Sequence, residues 1–204
     1  IKHGDQYLLW DTGVAGPAKE WVFTITLKER VTEQLKRIGV TPANINYVGI
    51  RHYHDDHTGQ PADFPQATLL IGTGDWEAIK GRPETAARFT PWISGGSKVE
   101  PVGRDKDVFG DNSVTILDMP GHTPGHKTLL VRLKSGPVLL SGDLYHATEQ
   151  VPNRGVPSFN TNRADTLASF DRFQAIAKST GAKVIIQHEL NDIAKLPAFP
   201  QAAE

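Results

Sequence analysis

Histidine and aspartate side chains crowd one short stretch of the sequence and give it metal-binding chemistry. Residues 52–57 read His-Tyr-His-Asp-Asp-His, which places three imidazoles and two carboxylates within six positions. Imidazole and carboxylate ligands without thiolate suit zinc, iron, manganese or cobalt. From a tight turn, His52 and His54 can aim their rings at one point. Asp56 and His57 are offset along the chain and can serve a second point nearby. We expect metal ligands here, and the alternative is a solvated polar loop without a ligand.

Three further candidate ligands lie where strands are predicted to end. They are His122, Asp143 and His188, which follow apolar runs over 113–118, 137–140 and 183–187. Layered α/β proteins usually bind ligands beyond the carboxyl ends of their strands. A single histidine at a strand end is more often a surface or core residue than a ligand. The inference of a convergent site therefore depends on the whole set.

The pattern of apolar residues predicts the elements that hold these candidates. Short strands are expected at 7–10, 47–50, 67–71, 113–118, 128–133, 137–140 and 183–187. Helical spacing is seen at about 27–38, 84–89 and 165–178. The last of these helices is the clearest, with Asp165 capping or charging its first turn and Gly181 as its stop. Strands in runs with helices between them favour an α/β fold built as a layered mixed sheet.

Length and composition narrow the class of protein. The chain has 204 residues, and we expect a single domain over 1–204. A net charge of −1 offers no basic surface to a phosphate backbone, so no nucleic-acid partner is expected. No apolar run approaches the roughly 18 residues of a membrane helix, so no membrane insertion is expected. Cysteine is absent, which excludes a disulfide framework and a thiolate ligand or nucleophile.

The order of these residues resembles the metallo-β-lactamase superfamily. The matching pattern is His52-x-His54-x-Asp56-His57 followed by His122, Asp143 and His188, and it extends back to the turn at 11–13. The contexts Pro-Gly-His-Thr-Pro-Gly-His at 120–126 and Ser-Gly-Asp-Leu-Tyr-His at 141–146 are most similar to the N-acyl homoserine lactonase-like branch. The resemblance implies a four-layer αβ/βα sandwich. Only ten residues precede Asp11, so we expect that a hairpin or more of this fold is missing from the chain or is supplied otherwise.

The same resemblance implies two divalent metal ions, with zinc first and iron, manganese or cobalt as alternatives. Its ligand assignment gives the first ion His52, His54 and His122. It gives the second ion Asp56, His57 and His188, with Asp143 bridging both. Asp11 is implied to be a buried hydrogen-bonding residue near the site.

Hydrolysis by a metal-bridging hydroxide is the chemistry that this ligand set implies. The expected reaction opens lactone rings of the N-acyl homoserine lactone type, an activity known as quorum quenching. Asp56 is the candidate for carrying a proton to the leaving group. Lactonases often carry tyrosine three residues after the bridging aspartate, where this chain has His146 and places Tyr145 one residue earlier. Either Tyr145 or His146 is expected to donate a hydrogen bond to the oxyanion, and the alternative is that both only pack beside the metals.

Other activities use the same ligands and stay open. An Asp-x-x-His arrangement at 143–146 also resembles methyl parathion hydrolases, so an organophosphate or ester hydrolase is the first alternative. A glyoxalase II-like thioesterase shares the ligands but normally continues into a helical glutathione-binding part, and only a short segment follows His188. The bridging Asp143 argues against the true β-lactamases, and His54 argues against the flavodiiron branch. A binding domain stapled by metal is the non-enzyme alternative.

Residues around the ligands have weaker assignments. Four aromatic residues can line a groove for an acyl chain or an aromatic leaving group, or can belong to the core: Trp76, Phe89, Trp92 and Phe159. Arg51 and Asp55 flank the ligands and are expected to support them, and His126 is expected to be structural. The expected partner is a small-molecule substrate, and a homodimer is allowed. A chain that starts with Ile1 leaves the compartment open between export to the periplasm or medium and the cytoplasm.

Overall fold

The computed structural model describes residues 1–20 and 23–204. Backbone contacts divide these residues into an N-terminal unit, Ile1–Ile71 with Asp75–Pro101, and a C-terminal unit, Gly72–Gly74 with Val102–Glu204. Each unit has its own sheet and its own hydrophobic cluster. The mixed α/β class predicted from the sequence is confirmed, and the single domain over 1–204 stays a prediction.

The elements up to residue 102 alternate strands and short helices. The strands are β1 (Lys2–His3), β2 (Gln6–Trp10), β3 (Ala18–Glu20), β4 (Phe23–Ile25), β5 (Tyr47–Ile50), β6 (Thr68–Gly72) and β7 (Val99–Val102). The helices are α1 (Val31–Arg37), α2 (Thr73–Lys80), α3 (Pro83–Arg88) and α4 (Thr90–Ile93). The order β1-β2-β5-β6-β7 forms one sheet, and β3 pairs with β4 in a separate antiparallel ribbon.

The centre of the N-terminal sheet is parallel and buried. β5 pairs in parallel with β2 on one side and with β6 on the other. The consecutive residues Val48, Gly49 and Ile50 of β5 are all buried, as expected for a strand covered on both faces. Because β2 and β5 run in the same direction, the turn after Trp10 and the histidine-rich loop after Ile50 emerge at the same edge of the sheet. This edge carries the first group of candidate ligands.

Helix α1 is shorter than the apolar spacing predicts. Val31 and Leu35 pack against the hydrophobic cluster of this unit, whereas Ile38 is 45% exposed. The helix ends at Arg37, and Gly39 follows with φ of +70°. Glycine accepts this left-handed conformation without steric cost, so it terminates the helix before Ile38 can join the buried face.

The elements from residue 102 onward build a second five-stranded sheet with one long helix. The strands are β8 (Lys106–Asp107), β9 (Val114–Asp118), β10 (Lys127–Leu133), β11 (Gly136–Leu140) and β12 (Lys183–Ile185). The helices are α5 (Gln150–Asn153), α6 (Arg163–Thr180) and α7 (Leu190–Ile193). The strand order is β12-β11-β10-β9-β8.

Strand directions place three loops of the C-terminal unit at one edge. β10 is antiparallel to both β9 and β11, and β11 is parallel to β12. The strands β9, β11 and β12 therefore point the same way, and their carboxyl ends share an edge. Helix α6 covers this sheet with Phe170 and Phe173, which lie in the same buried cluster as the sheet residues.

Among the described residues, no helix combines the length and the apolar character needed to cross a bilayer.

The glycines at 72 and 74 allow close packing of backbone. A Cβ atom on Gly72 would lie 1.8 Å from the carbonyl oxygen of Gly125, and one on Gly74 would lie 2.8 Å from Pro124.

Candidate metal-binding site

The histidine-rich loop after β5 is held by the turn that follows β2. The backbone N–H and the hydroxyl of Thr12 each donate to the carbonyl oxygen of His57 at 2.9 Å. The N–H of Gly59 donates to the carbonyl of Gly13 at 2.7 Å. A Cβ atom on Gly59 would lie 2.0 Å from the carbonyl carbon of Val14, so only glycine allows this close approach. The loop that carries the candidate ligands is thereby fixed at its C-terminal end.

Within this loop, the four candidate ligands of the N-terminal unit are neighbours in space. His52 Nε2 lies 2.9 Å from His54 Nδ1. His57 Nε2 lies 3.0 Å from Asp56 Oδ2, and the rings of His52 and His57 are 4.4 Å apart between centroids. His52 and His57 are buried, while the Asp56 side chain is 42% exposed. The loop thus presents a buried imidazole pair with a solvent-accessible carboxylate beside it.

Asp11 contacts this loop at Arg51 and His57 and carries a buried charge. Its Oδ1 accepts from the Arg51 N–H at 2.9 Å, its Oδ2 pairs with the Arg51 guanidinium, and His57 Nδ1 lies 3.5 Å from Oδ2. Burial tends to raise the pKa of Asp11, but Arg51 and His57 together hold it below its ordinary value. Asp11 is therefore an ionised, buried hydrogen-bonding residue next to His57, which matches its expected position. Its φ of +64° is a left-handed conformation, which Asp adopts more readily than bulky residues do.

Asp55 has a different environment from the ligands that flank it. Its carboxylate is 57% exposed and pairs with Arg88 at 2.6 Å. The same Arg88 nitrogen lies 3.4 Å from the Thr58 hydroxyl. This ion pair connects the loop to α3, so Asp55 anchors the loop from its outer side.

In the C-terminal unit, three imidazoles surround one carboxylate oxygen. Asp143 Oδ2 lies 3.1 Å from His188 Nε2, 3.4 Å from His146 Nε2 and 3.6 Å from His122 Nε2. The side chains of His122 and Asp143 are 1% and 5% exposed. His146 and His188 stack with ring centroids 5.3 Å apart. The three strand ends predicted to carry ligands therefore do bring His122, Asp143 and His188 together, and His146 joins them.

This donor set fits a divalent metal ion. Two ligand atoms bound to one ion at about 2.0–2.2 Å lie roughly 2.8–3.6 Å apart for octahedral or tetrahedral angles. The three Nε2–Oδ2 distances fall in that interval. Ligand atoms of His122, Asp143 and His146 all lie within 4.8 Å of one another. Imidazole nitrogen and carboxylate oxygen are also the donors that such ions prefer, so these residues can hold a metal.

Hydrogen bonds to the far side of the ligands set which ring nitrogen faces the carboxylate. His122 Nδ1 donates to Asn160 Oδ1 at 2.9 Å, which leaves its Nε2 lone pair available. His126 Nδ1 donates to the Met119 carbonyl at 2.9 Å, and its Nε2 accepts from the Asp143 N–H at 3.0 Å. His126 is fully buried and has the structural position expected of it. Asn160 was not expected, and nothing in its sequence context marks it as a partner of His122.

Tyr145 and His146 point to different surroundings. Tyr145 is 1% exposed, stacks on Phe170 at 4.5 Å, and its hydroxyl accepts from Gln174 Nε2 at 3.2 Å. Burial raises the pKa of Tyr145 even though the bond from Gln174 acts in the opposite direction. These contacts favour the packing alternative for Tyr145. His146 is the residue of the pair that lies at Asp143.

The four aromatic residues considered as groove residues also divide. Trp76, Phe89 and Trp92 are buried in the hydrophobic cluster of the N-terminal unit, so they are core residues. Phe159 is 61% exposed, and its ring contacts His122 and His146 edge to face. Phe159 alone of the four keeps the position of a candidate substrate contact.

Comparison with known proteins identifies relatives along nearly the whole chain. Residues 1–188 match the family model of the Metallo-beta-lactamase superfamily. The chain is 33% identical over 178 residues to N-acyl homoserine lactonase AttM of Azorhizobium caulinodans, covering 79% of this chain and 64% of that relative. It is 32% identical over 190 residues to N-acyl homoserine lactonase AttM of Rhizobium johnstonii, covering 84% of this chain and 67% of that relative. The chain thus spans about two thirds of the length of these relatives.

Solved structures with the same fold include lactonases. A crystal structure of a quorum-quenching N-acyl homoserine lactone lactonase matches with a TM-score of 0.83 at 24% identity, over 98% of this chain and 81% of that one. An N-acyl homoserine lactone hydrolase with N-hexanoyl-L-homoserine bound at its catalytic metal centre matches with a TM-score of 0.82 at 24% identity, over 97% and 82%. At this level of identity the likeness establishes the fold, and it confirms the fold type that the sequence implied.

Proposed function

Because the chain belongs to the metallo-beta-lactamase superfamily, we propose that it is a dinuclear metal-dependent hydrolase that opens the ring of N-acyl homoserine lactones. The observation that carries the proposal is the convergence of three imidazole nitrogens on Asp143 Oδ2 at 3.1–3.6 Å. Asp143 would be one of the residues that hold the metal. The names of the relatives at 32–33% identity support the lactone substrate class.

The proposed metal ligands are the residues that the sequence pattern implies. The assigned residues are His52, His54, Asp56, His57, His122, Asp143 and His188. Zinc is the proposed native metal, with iron, manganese or cobalt as alternatives, because the donors are imidazole and carboxylate without thiolate. When bound, two such ions lower the pKa of a water molecule toward neutrality and polarise the lactone carbonyl.

Residues of the chain complete the reaction in the proposal. The carboxylate of Asp56, which is solvent-accessible beside His57, carries a proton to the oxygen that leaves when the ring opens. His146 Nε2 donates a hydrogen bond to the oxyanion that develops on the substrate carbonyl, because its ring lies at Asp143 and is partly exposed. Tyr145 contributes packing behind His146.

A substrate panel with metal removal tests the proposal. N-acyl homoserine lactones, a paraoxon-type triester, nitrocefin and S-lactoylglutathione are offered to protein of measured metal content. We expect lactone opening that a chelator abolishes and that zinc, cobalt or manganese restores. H188A should lose bound metal and activity, whereas H3Q, a matched histidine substitution in β1, should keep both. Full lactone hydrolysis by metal-stripped protein would contradict the proposal.

Phosphotriester hydrolysis is the second candidate and uses the same ligands. The observation that favours it is His146, three residues after Asp143. This Asp-x-x-His arrangement resembles that of methyl parathion hydrolases. If the protein hydrolyses the triester faster than every lactone in the panel, phosphotriester hydrolysis becomes the proposed activity in place of lactone opening. Preferred turnover of S-lactoylglutathione would indicate the thioesterase alternative, and metal binding without turnover of any compound would indicate a metal-stapled binding domain.

A further inference from the structure

Phe159 is an exposed aromatic residue whose ring contacts His122 and His146. Its side chain is 61% exposed. Its ring centroid lies 5.9 Å from that of His122 at an interplanar angle of 86°, and 5.5 Å from that of His146 at 89°. Single exposed apolar residues are common on protein surfaces and need no explanation. An exposed phenylalanine whose edges meet two candidate site histidines is a different case, because it places apolar surface where the substrate must pass.

The segment that carries Phe159 is fixed to the same histidine. The next residue, Asn160, accepts from His122 Nδ1 at 2.9 Å and donates to the Thr166 hydroxyl at 3.2 Å. The N–H of Thr161 donates to the His122 carbonyl at 3.2 Å. The ring of Phe159 is therefore held in position before any substrate arrives. Preorganisation of this kind reduces the ordering cost that a contact must overcome on binding.

We propose, on the basis of the lactonase function proposed above, that Phe159 is the residue that binds the acyl chain and sets the chain-length preference. The amide nitrogen of an N-acyl homoserine lactone is attached to the ring carbon next to the reacting carbonyl, and the acyl carbonyl follows that nitrogen. The first acyl methylene is therefore four bonds, or about 5 Å, from the reacting carbon. This reach is similar to the 5.5 and 5.9 Å that separate Phe159 from His146 and His122. A substrate whose carbonyl lies at the ligand histidines extends its chain onto the exposed face of this ring.

The size of the effect follows from the area that the ring can cover. Burying one methylene improves binding by a factor of about four. A phenyl face that covers two methylenes then gives about a fifteen-fold preference for a chain long enough to reach across it over one that is too short. The preference should level off for longer chains, because additional methylenes extend beyond the ring into water.

The test compares chain-length series for F159A, F159L and the wild-type protein, each with its metal content measured. F199A is the matched control, because Phe199 is another exposed phenylalanine, 46% accessible, in the C-terminal segment. Butanoyl, hexanoyl, octanoyl and decanoyl homoserine lactones give kcat/KM. Calorimetric titration with the ring-opened N-acyl-homoserines gives binding without turnover. F159A should reduce the octanoyl-to-butanoyl ratio about ten-fold or more in both measurements, F159L should keep most of it, and F199A should leave it unchanged.

Two outcomes would overturn the inference, and they differ from each other. If F159A lowers kcat/KM equally for every chain length, Phe159 acts by holding His122 or His146 and does not contact the chain. If the metal-loaded wild-type protein neither binds nor hydrolyses any member of the series, the lactonase proposal fails and this inference fails with it. A lost ratio together with retained metal and retained butanoyl turnover supports Phe159 as the acyl contact.

Discussion

Substituting His126 by asparagine or glutamine separates the two hydrogen bonds that this buried imidazole makes. A carbonyl oxygen can only accept, so the bond to Met119 requires the proton on Nδ1. A backbone N–H can only donate, so the bond from Asp143 requires an unprotonated Nε2. The imidazole is therefore neutral in one tautomer. The packing is close, because a Cβ atom on Gly142 would lie 2.7 Å from His126 Nε2.

The magnitude can be worked from these two bonds. An alanine at position 126 leaves both a buried carbonyl and a buried N–H without partners, at roughly 1–3 kcal/mol each, in addition to a cavity. A total loss of that size approaches the whole stability of a small domain, so alanine is a poor probe. In H126N the amide can still donate to Met119, whereas in H126Q the longer amide can still accept from the Asp143 N–H. Each variant loses one buried bond, so both should be destabilised by roughly 1–3 kcal/mol.

Metal affinity distinguishes the pair, because only one of the lost bonds holds Asp143. H126N should bind metal about 10–100-fold more weakly than the wild-type protein, as is usual when a residue that orients a ligand is removed. H126Q should stay within a few-fold of the wild type. Urea denaturation measures the stabilities, and competition with a chromogenic chelator measures the affinities. Equal metal affinities in H126N and H126Q would refute the assignment of His126 as the residue that positions Asp143.

Two further substitutions test the support of the other ligands. N160A should weaken metal binding about 10–100-fold in a chelator competition by freeing the His122 ring, while N160D, which keeps an acceptor, should retain affinity. Asp192 accepts from the Ile186 N–H at 2.8 Å and pairs with Lys195, and D192A should cost roughly 1.5–3 kcal/mol in urea denaturation, with D192N losing less. Burial tends to raise the pKa of Asp192, but Lys195 and the backbone bond hold it below its ordinary value. Its contribution is thus present above the unfolded-state pKa of about 3.9 and is lost as the pH falls through the folded-state pKa, so the stability difference between wild type and D192A should vanish in acid.

Strands and ligand positions could be predicted because buried strands have a strong local pattern. The strand at 47–50 has the same bounds in the prediction and in the structure, and β9 and β11 each differ by one residue. A ligand that directly follows such a strand is placed at the sheet edge by the strand itself. This is why His122, Asp143 and His188 could be grouped from a sequence in which they lie far apart.

Helix boundaries and the supporting residues could not be predicted, because they depend on polar contacts with many local competitors. Asp165 was expected to cap or charge the first turn of α6. It is the acidic residue of that turn, but it is not the cap, because its own N–H donates to Asn162 Oδ1 at 3.1 Å. Asn162 is the capping residue. The apolar spacing locates the buried face of this helix but carries no information on which of several polar residues begins it. The sequence pattern predicted no helix at 73–80, where the structure has α2.

Adjacent residues of the same loop can have opposite roles, and only the tertiary structure decides between them. Tyr145 and His146 are consecutive, yet the Tyr145 hydroxyl accepts a hydrogen bond from Gln174 of α6, whereas the His146 ring lies at Asp143. Tyr145 packs in the core because its ring contacts the rings of Phe170 and Phe173 of α6. The sequence alone allows either Tyr145 or His146 as the hydrogen-bond donor to the substrate. Helix α6 covers Tyr145, which leaves His146 for that role.

The buried aspartates Asp11 and Asp143 belong to different units and have their charges balanced in different ways, and this contrast favours metal binding at Asp143. Asp11 is paired with Arg51 within its own unit, so its charge is balanced by the chain itself. Asp143 is surrounded by three imidazole nitrogens, of which those of His122 and His188 belong to proposed ligands, and imidazole binds a metal ion only as a neutral ring. In a metal-bound protein the ion therefore brings positive charge to Asp143. Asp11 thus has an arginine partner, and Asp143 has imidazole neighbours. This difference is expected if Asp11 fixes the loop and Asp143 holds the metal.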